Sequence, residues 1–476
     1  MSVLKSKRRT KIVCTLGPAC AGEVLDRMVA AGMNVARLNF SHGTLEEHAD
    51  WVRRVRSVSE AQGRPLAILQ DLAGPKLRIG EFPEGQVEVT SGHAFTLSSG
   101  PLSAGEAGVQ VGFPEILNEI PVGARILLAD GQVELRVENK TAEALHCRVL
   151  VGGVLRSHVG VNFPSHSLSV PALTAKDRED LRFAVKMGVD YIGLSFVRSP
   201  QDVREAREVI QSLGGDIPII AKIEKHEALE RLDGILEEAD GLMVARGDLG
   251  VEVALEQVPF MQKKIIAAAN RAGKPVITAT QMLLSMVDHS HPSRAEATDV
   301  ANAILDGTDA VMLSEETAMG RYPVEAVKFL DQVSRATEAH FPYVQWLRNR
   351  APSGRQDISE AVSHAACEMA LDLEAGAILT STDHGGTARL ISRYRPRTPI
   401  IAVTPRRETW RRLALVWGVF PLLAPVIDNT DHMLHVVEQE ALKAGWLKSG
   451  ERVVITAGTP IGAKGTTNLI KADIIS

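Results

Sequence analysis

Cysteine is scarce: Cys14, Cys20, Cys147 and Cys367 are the only four in 476 residues, and their spacings fit neither a zinc site nor a redox pair. A disulfide-held framework is thereby excluded, and the four read as reduced, mostly buried small residues of a cytoplasmic protein. No run of eighteen apolar residues exists. The nearest stretch, LALVWGVFPLLAPVI, is interrupted by glycine and two prolines, so no membrane span is expected. Neither sign of charge is in large excess, and a net charge of −5 gives no general reason to expect nucleic acid or an anionic membrane as partner. The basic start, KSKRRTK, is a local exception, read as a solvated lead-in to the first strand rather than a nucleic-acid arm or targeting segment. With 45% hydrophobic and 23% charged residues the composition is that of a soluble globular protein. A chain of this length suggests about three domains.

Eight short apolar runs close in polar or charged residues: KIVCTLG, NVARLNFS, LAILQD, YIGLSF, IIAKIE, GLMVARGD, VITATQ and AVMLSE. Helical stretches separate most neighbours. This is the pattern of a (β/α)₈ TIM barrel, whose strands are buried on both faces and whose function collects at their C-terminal ends. The step from Asp71 to Phe196 is far longer than the others. Roughly ninety residues beyond a normal unit must lie there, enough for an inserted domain.

Between Pro75 and Val170 the texture changes to short alternating segments broken by Gly, Ser and Pro. That argues for a small β-barrel domain, hinged at prolines and able to cap the barrel mouth. From about Ala351 helices alternate with the strands AILTS, PIIAVT and RVVITAG, predicting a C-terminal α/β domain with a mainly parallel sheet. The expected division is residues 1–74 and 171–350 for the catalytic barrel, 75–170 for the cap and 351–476 for the C-terminal domain. Thr174 with Asp177 and Ser293 with Glu296 mark helix starts. Two Gly/Thr-rich loops, TDHGGTA (382–388) and AGTPIGAKGTTN (457–468), offer backbone amides for a phosphate; ordinary turns are the alternative reading.

Lys222 and Glu224 sit two apart at one strand end and share a face, and the next strand delivers Asp248 beside them. Two carboxylates with room for water and substrate oxygens suit Mg²⁺ or Mn²⁺. A lysine beside a divalent cation is useful only to a strongly anionic substrate, as in phosphoryl transfer or enolate formation. Gly247 lets backbone amides approach a carboxylate, and Thr280 adds a neutral hydroxyl. Arg37, Asn39 and Ser41 alternate onto one face of the second strand, with Arg37 placed to grip a phosphate, and Asp71 ends the third. Any one of these alone fits a strand-end ion pair. Seven strands sending compatible groups to one rim argue for an active site.

The motifs RLNFSHG (37–43), GPKLRIG (74–80), GVNFP (160–164), KIEKHEAL (222–229), MVARGDLGVE (243–252), AGKPVITATQML (272–283), SRAEATDVANAILDGTDAVMLSEETA (293–318) and ISRYRPRTPIIAVT (391–404) together resemble the pyruvate kinase family over essentially the whole chain. The resemblance implies transfer of the phosphoryl group of phosphoenolpyruvate to ADP, giving pyruvate and ATP. It places Lys222 on the transferring group, Glu224 and Asp248 on the metal, Gly247, Asp248 and Thr280 on the substrate carboxylate end, Arg37 on its phosphate and Ser195 among the substrate contacts. Thr280 would lie near the point of enolate protonation. Asn39, His42 and Arg78 match nucleotide-side positions, and a second Mg²⁺ would arrive with the nucleotide. A homotetramer is implied. So is an effector site for a phosphorylated metabolite around Thr382, Gly385, Gly386, Thr387, Gly462, Gly465 and Thr466.

Several positions depart from the family pattern. Lys76 stands where potassium-dependent members resemble one another in carrying Glu, near the potassium positions matching Asn39, Ser41, Asp71 and Leu72. A lysine ammonium can take the place of that ion, so potassium is not expected to be required. Ala73, Val159 and Met319 each replace a familiar lysine, and His384 a usual serine. The competing readings are a metal-dependent lyase or aldolase, which would not need Arg78 or ADP, and a regulatory paralogue, which would be free to lose Lys222, Glu224 or Thr280.

Overall fold

A computed structural model describes residues 8–102, 105–164, 166, 170–350, 357–426, 429–460 and 466–475. Eight parallel strands form a closed barrel: β1 (Lys11–Thr15), β2 (Val35–Asn39), β3 (Ala67–Asp71), β4 (Tyr191–Leu194), β5 (Ile219–Ile223), β6 (Gly241–Ala245), β7 (Val276–Ala279) and β8 (Ala310–Leu313). β8 pairs with β1, Lys11 opposite Ala310, and closes the ring. The strands are buried along nearly their whole length, which is why they read as continuous apolar runs rather than alternating ones. Val35, Leu69, Ile220, Met243, Ile277 and Met312 belong to the cluster inside the barrel, and Ala414 and Leu415 of the C-terminal domain pack into it.

Helices between the strands form the outer layer. Both anticipated capping boxes are present, Thr174 with Asp177 on the helix Ala175–Met187 and Ser293 with Glu296 on Arg294–Leu305. A third, Thr44 with Glu47, starts Leu45–Gln62. Each satisfies two backbone N–H groups that a helix start leaves without partners.

After β3 the chain leaves the barrel at Gly74, whose φ of +67° and 2.7 Å clearance from Phe196 Cδ2 leave no room for a side chain. The segment beyond it contains a six-stranded sheet and the two-stranded pair Gln86–Val89 with Gly153–Arg156. Both close over one core that includes Val89, Leu97, Leu128, Leu135 and Leu155. Residues 78–80 bridge the two edges of the larger sheet, Ile79 to Val111 and Arg78 to Gly160, and Ala94–Ser98 with Gly108–Gln110 is a parallel pair among antiparallel ones. Outgoing and returning chains are tied by Ile79 N–H to Val159 O and Val161 N–H to Leu77 O, at 3.1 and 3.0 Å.

The C-terminal sheet runs β11 (Val419–Leu423), β10 (Ile400–Thr404), β9 (Ala377–Ser381), β12 (Arg452–Ala457), β13 (Leu469–Ile474), parallel except for β13. It is joined to the barrel base by Arg395, which is buried. Its Nη2 donates to Asp309 Oδ2 (2.9 Å), Asn270 Oδ1 (2.6 Å) and Gly307 O (2.9 Å). Asp309 also accepts the Val276 N–H, at the start of β7. Removing one member of such a buried pair leaves an uncompensated charge. Arg395→Met is therefore expected to lower stability by about 3–5 kcal/mol, with partial recovery when Asp309→Asn is added. Urea unfolding followed by tryptophan fluorescence measures both, and a single variant as stable as the parent contradicts the assignment.

Candidate active site at the mouth of the barrel

Lys222 lies near the end of β5 and Glu224 just beyond it, so the two-residue strand period puts both on one side. Lys222 Nζ is 2.8 Å from Glu224 Oε1 and 3.2 Å from Asp71 Oδ1. It also donates to Ser195 Oγ at 2.7 Å, and Ser195 in turn donates to the Leu72 carbonyl at 2.7 Å. Arg37 extends the chain of contacts: Nε donates to Asp71 Oδ2 (2.7 Å) and Nη1 to Thr15 Oγ1 (2.9 Å). The ends of β1 to β5 thus converge on two cations and two buried carboxylates.

Burial alone would favour a neutral Lys222, but Asp71 and Glu224 outweigh it and raise its pKa above the ordinary amine range. For Asp71, burial is overcome by Lys222 and Arg37, and its pKa falls. Glu224 goes the other way. Burial, with repulsion from Asp248, lifts its pKa above the usual carboxylate range against the pull of Lys222 and of the Phe196 N–H. That N–H donates to Glu224 Oε2 at 2.7 Å from a residue at φ +56°, a conformation a phenylalanine keeps only when its surroundings enforce it. Glu224 and Asp248 fit a divalent cation: they are hard oxygen donors, and their mutual repulsion is what a cation would relieve.

Thr280 follows β7, and its Oγ1 accepts the Gly247 N–H at 2.8 Å, joining the ends of β6 and β7. Asn39 is the cross-strand partner of Asp71, and its Oδ1 accepts the Ser41 N–H at 3.2 Å. Lys76 Cε lies beside Gly160, and its side chain lines a cleft with Asp130, Phe196, Lys225 and Asp248. Arg78 lies on the hinge, donating to the His158 carbonyl at 2.9 Å, and His42 is exposed in the loop after β2; neither lines that cleft.

In the C-terminal domain the two Gly/Thr-rich loops meet: Thr387 Oγ1 is 2.8 Å from Thr467 Oγ1, and Thr382 Oγ1 accepts the Gly385 N–H at 2.9 Å. Gly386 begins the helix Gly386–Ser392, and the Thr466 carbonyl closely approaches Gly458. Gly462 and Gly465 lie outside the described residues.

Sequence reasoning gave no role to Phe196, Thr15 or Arg246, nor to the Leu72 carbonyl as the acceptor of Ser195. Three act through backbone groups or one hydroxyl, which carry no residue-type signal. A second set went unassigned too: His226 Nδ1 lies 3.1 Å from Glu227 Oε2 and 3.5 Å from Glu252 Oε2, while Lys225 pairs with Glu252. This ion-pair group braces the chain that follows Glu224.

The family model for the pyruvate kinase barrel domain matches residues 7–327, and that for the pyruvate kinase alpha/beta domain matches 360–472. Pyruvate kinase 2 of Synechocystis sp. is 48% identical over 473 residues, covering 98% of this chain and 79% of the relative. For the pyruvate kinase of Geobacillus stearothermophilus the identity is 47% over 476 residues, covering 99% and 81%. That of Clostridium acetobutylicum is 42% identical over 471 residues, 98% of this chain and 100% of the relative. Among the described residues no helix is long and apolar enough to cross a membrane. Similarity that runs through barrel, insertion and C-terminal sheet alike, over a rim that joins a buried lysine to paired carboxylates, leaves one conclusion: the chain belongs to the pyruvate kinase family and is a phosphotransferase, EC 2.7.1.40.

Proposed function

We propose that this chain moves the phosphoryl group of phosphoenolpyruvate to ADP with Lys222 at the transferring group and Glu224 and Asp248 as ligands of Mg²⁺ or Mn²⁺. The observation that carries this reading is the Lys222 ammonium held between Asp71 and Glu224 at 3.2 and 2.8 Å, on the same rim as Asp248 and Thr280. The bond from phosphorus to the enol oxygen breaks, and a bond to a terminal phosphate oxygen of ADP forms. The electron pair stays on the enolate, whose C3 then takes a proton, ultimately from water, beside Thr280. Lys222 neutralises the equatorial phosphoryl oxygens, and because it is protonated beforehand it needs no rearrangement as charge moves. Arg37 presents its remaining guanidinium N–H groups to the phosphate, Ser195 fixes the direction of the Lys222 ammonium, and the amides of Gly247 and Asp248 receive the carboxylate. A bound divalent cation supplies positive charge to the enolate and phosphoryl oxygens.

Asn39, His42 and Arg78 face the nucleotide in this reading. Arg78 and His42 stand off the cleft lined by Lys76, so nucleotide binding draws the cap and barrel together. With Asp71 already paired to Arg37 and Lys222, and Lys76 adding a fixed charge from the cleft that holds Asp248, the enzyme works without potassium. A phosphorylated metabolite binds where the loops at 382–388 and 457–468 meet, to be identified by titration at subsaturating phosphoenolpyruvate. The protein self-associates, as a homotetramer in this reading, and the exposed Leu255 and Phe260 and Ile474 on the edge strand β13 are apolar surface that self-association would cover.

Lys222→Met is expected to fold and to lose kcat by about a thousandfold or more; near-normal turnover in a lactate-dehydrogenase-coupled assay removes Lys222 from this role. Metal affinity has a pH signature. Because the pKa of Glu224 is raised, its ionised form is disfavoured in the metal-free protein, and a cation must displace its proton as pH falls. Mn²⁺ affinity, read by electron paramagnetic resonance, is therefore expected to weaken already in mildly acidic buffer, above the ordinary carboxylate range; an affinity flat through that region contradicts the assignment. Equal kcat in tetramethylammonium buffer with and without potassium chloride is the third expectation, and strong potassium activation overturns it.

A further inference from the structure

Thr280 and Gln281 adopt φ of +65° and +54°. Two successive side-chain-bearing residues in the left-handed region, the first β-branched, are each energetically unfavourable. Such a turn persists only where its surroundings over-determine it, and the side chain that does so here is Arg246. Its Nη2 donates to the Thr280 carbonyl at 2.7 Å and its Nε to the Ala279 carbonyl at 3.2 Å. Nη1 lies 2.8 and 2.7 Å from the two carboxylate oxygens of Asp299, on the helix Arg294–Leu305, and 3.3 Å from Gln262 Oε1. Only 10% of the side chain is exposed.

The donors of Arg246 are spent on two backbone carbonyls, an amide oxygen and a carboxylate, so it acts on the reaction through Thr280 rather than on substrate. The next residue, Gly247, reaches the same threonine from the other side, its N–H donating to Oγ1 at 2.8 Å. The Thr280 hydroxyl donates to the Ala279 carbonyl at 2.7 Å, the carbonyl that also accepts Arg246 Nε. Arg246 thereby holds the turn and shares the acceptor of the hydroxyl proton. A proton directed to substrate must leave that acceptor.

We propose that Arg246, held by Asp299, is a positioning residue that fixes the Thr280 hydroxyl for protonation of the enolate. A planar fork is required, because one ammonium cannot span two successive carbonyls and a carboxylate. The inference rests on the assignment of Thr280 to that protonation step.

The test measures deuterium uptake into the pyruvate methyl group by NMR in deuterium oxide, beside kcat, KM for phosphoenolpyruvate and Mn²⁺ affinity. Arg246→Lys is expected to lower methyl exchange and kcat in parallel, by about 10- to 100-fold, with Mn²⁺ affinity and thermal midpoint unchanged. Asp299→Asn keeps the guanidinium, loses its counter-charge and is expected to give a smaller loss of the same kind. It serves as the deciding variant if Arg246→Lys does not fold. Exchange at the parent rate in the deciding variant, or exchange lost only together with Mn²⁺ affinity, overturns the proposal. Thr280→Val separates the premise. If it leaves exchange intact, the assignment of Thr280 fails; if it abolishes exchange while Arg246→Lys does not, only the positioning role fails.

Discussion

One ammonium group organises the mouth of this barrel. Lys222 carries its proton because Asp71 and Glu224 stand within ion-pair distance in a buried place, where the same lysine without them would tend to lose it. Its direction is set by Ser195, which is tied to the Leu72 carbonyl, and its partner Asp71 is shared with Arg37. Charge, orientation and burial of this ammonium therefore come from one network spread over five strand ends. No single strand contains it.

The network is balanced on its cationic side and strained on its anionic side. Asp71 is neutralised twice over, whereas Glu224 faces Asp248 and is held in a less acidic state by burial and that repulsion. This asymmetry separates similar carboxylates: Asp71 anchors two cationic side chains, and the repulsion between Glu224 and Asp248 is of the kind a divalent cation would relieve. At the opposite end of the barrel the same chemistry serves architecture. Arg395 and Asp309 form a buried pair between the C-terminal sheet and the start of β7, and Ala414 and Leu415 close the barrel floor. The strand that leads to Thr280 is thus held at its base by Arg395 through Asp309 and beyond its top by Arg246.

Much of this was legible before any coordinates. The barrel strands announce themselves because burial on both faces demands unbroken apolar runs, and the carboxylates and lysine stand at their ends because those ends are where polar groups meet solvent and ligand. Lys222 and Glu224 share a face by strand periodicity alone. What escaped notice was carried by groups that every residue possesses. The Phe196 N–H on Glu224 and the Leu72 carbonyl under Ser195 have no side-chain signature, and a positive φ at Phe196 or Thr280 cannot be seen in residues that elsewhere avoid it.

Residue order by itself determined the strand and helix periodicity, the place of the insertion, the helix caps and the chemical types available at the rim, since each depends on neighbours within a few positions. Only the tertiary structure decided which charges pair. Arg37 with Asp71, Lys76 in the cleft with Asp248, and Arg246 between the Thr280 turn and Asp299 are outcomes of distances between segments far apart in the chain. Electrostatic energy falls with separation and rises with burial, and both quantities exist only once the barrel has closed.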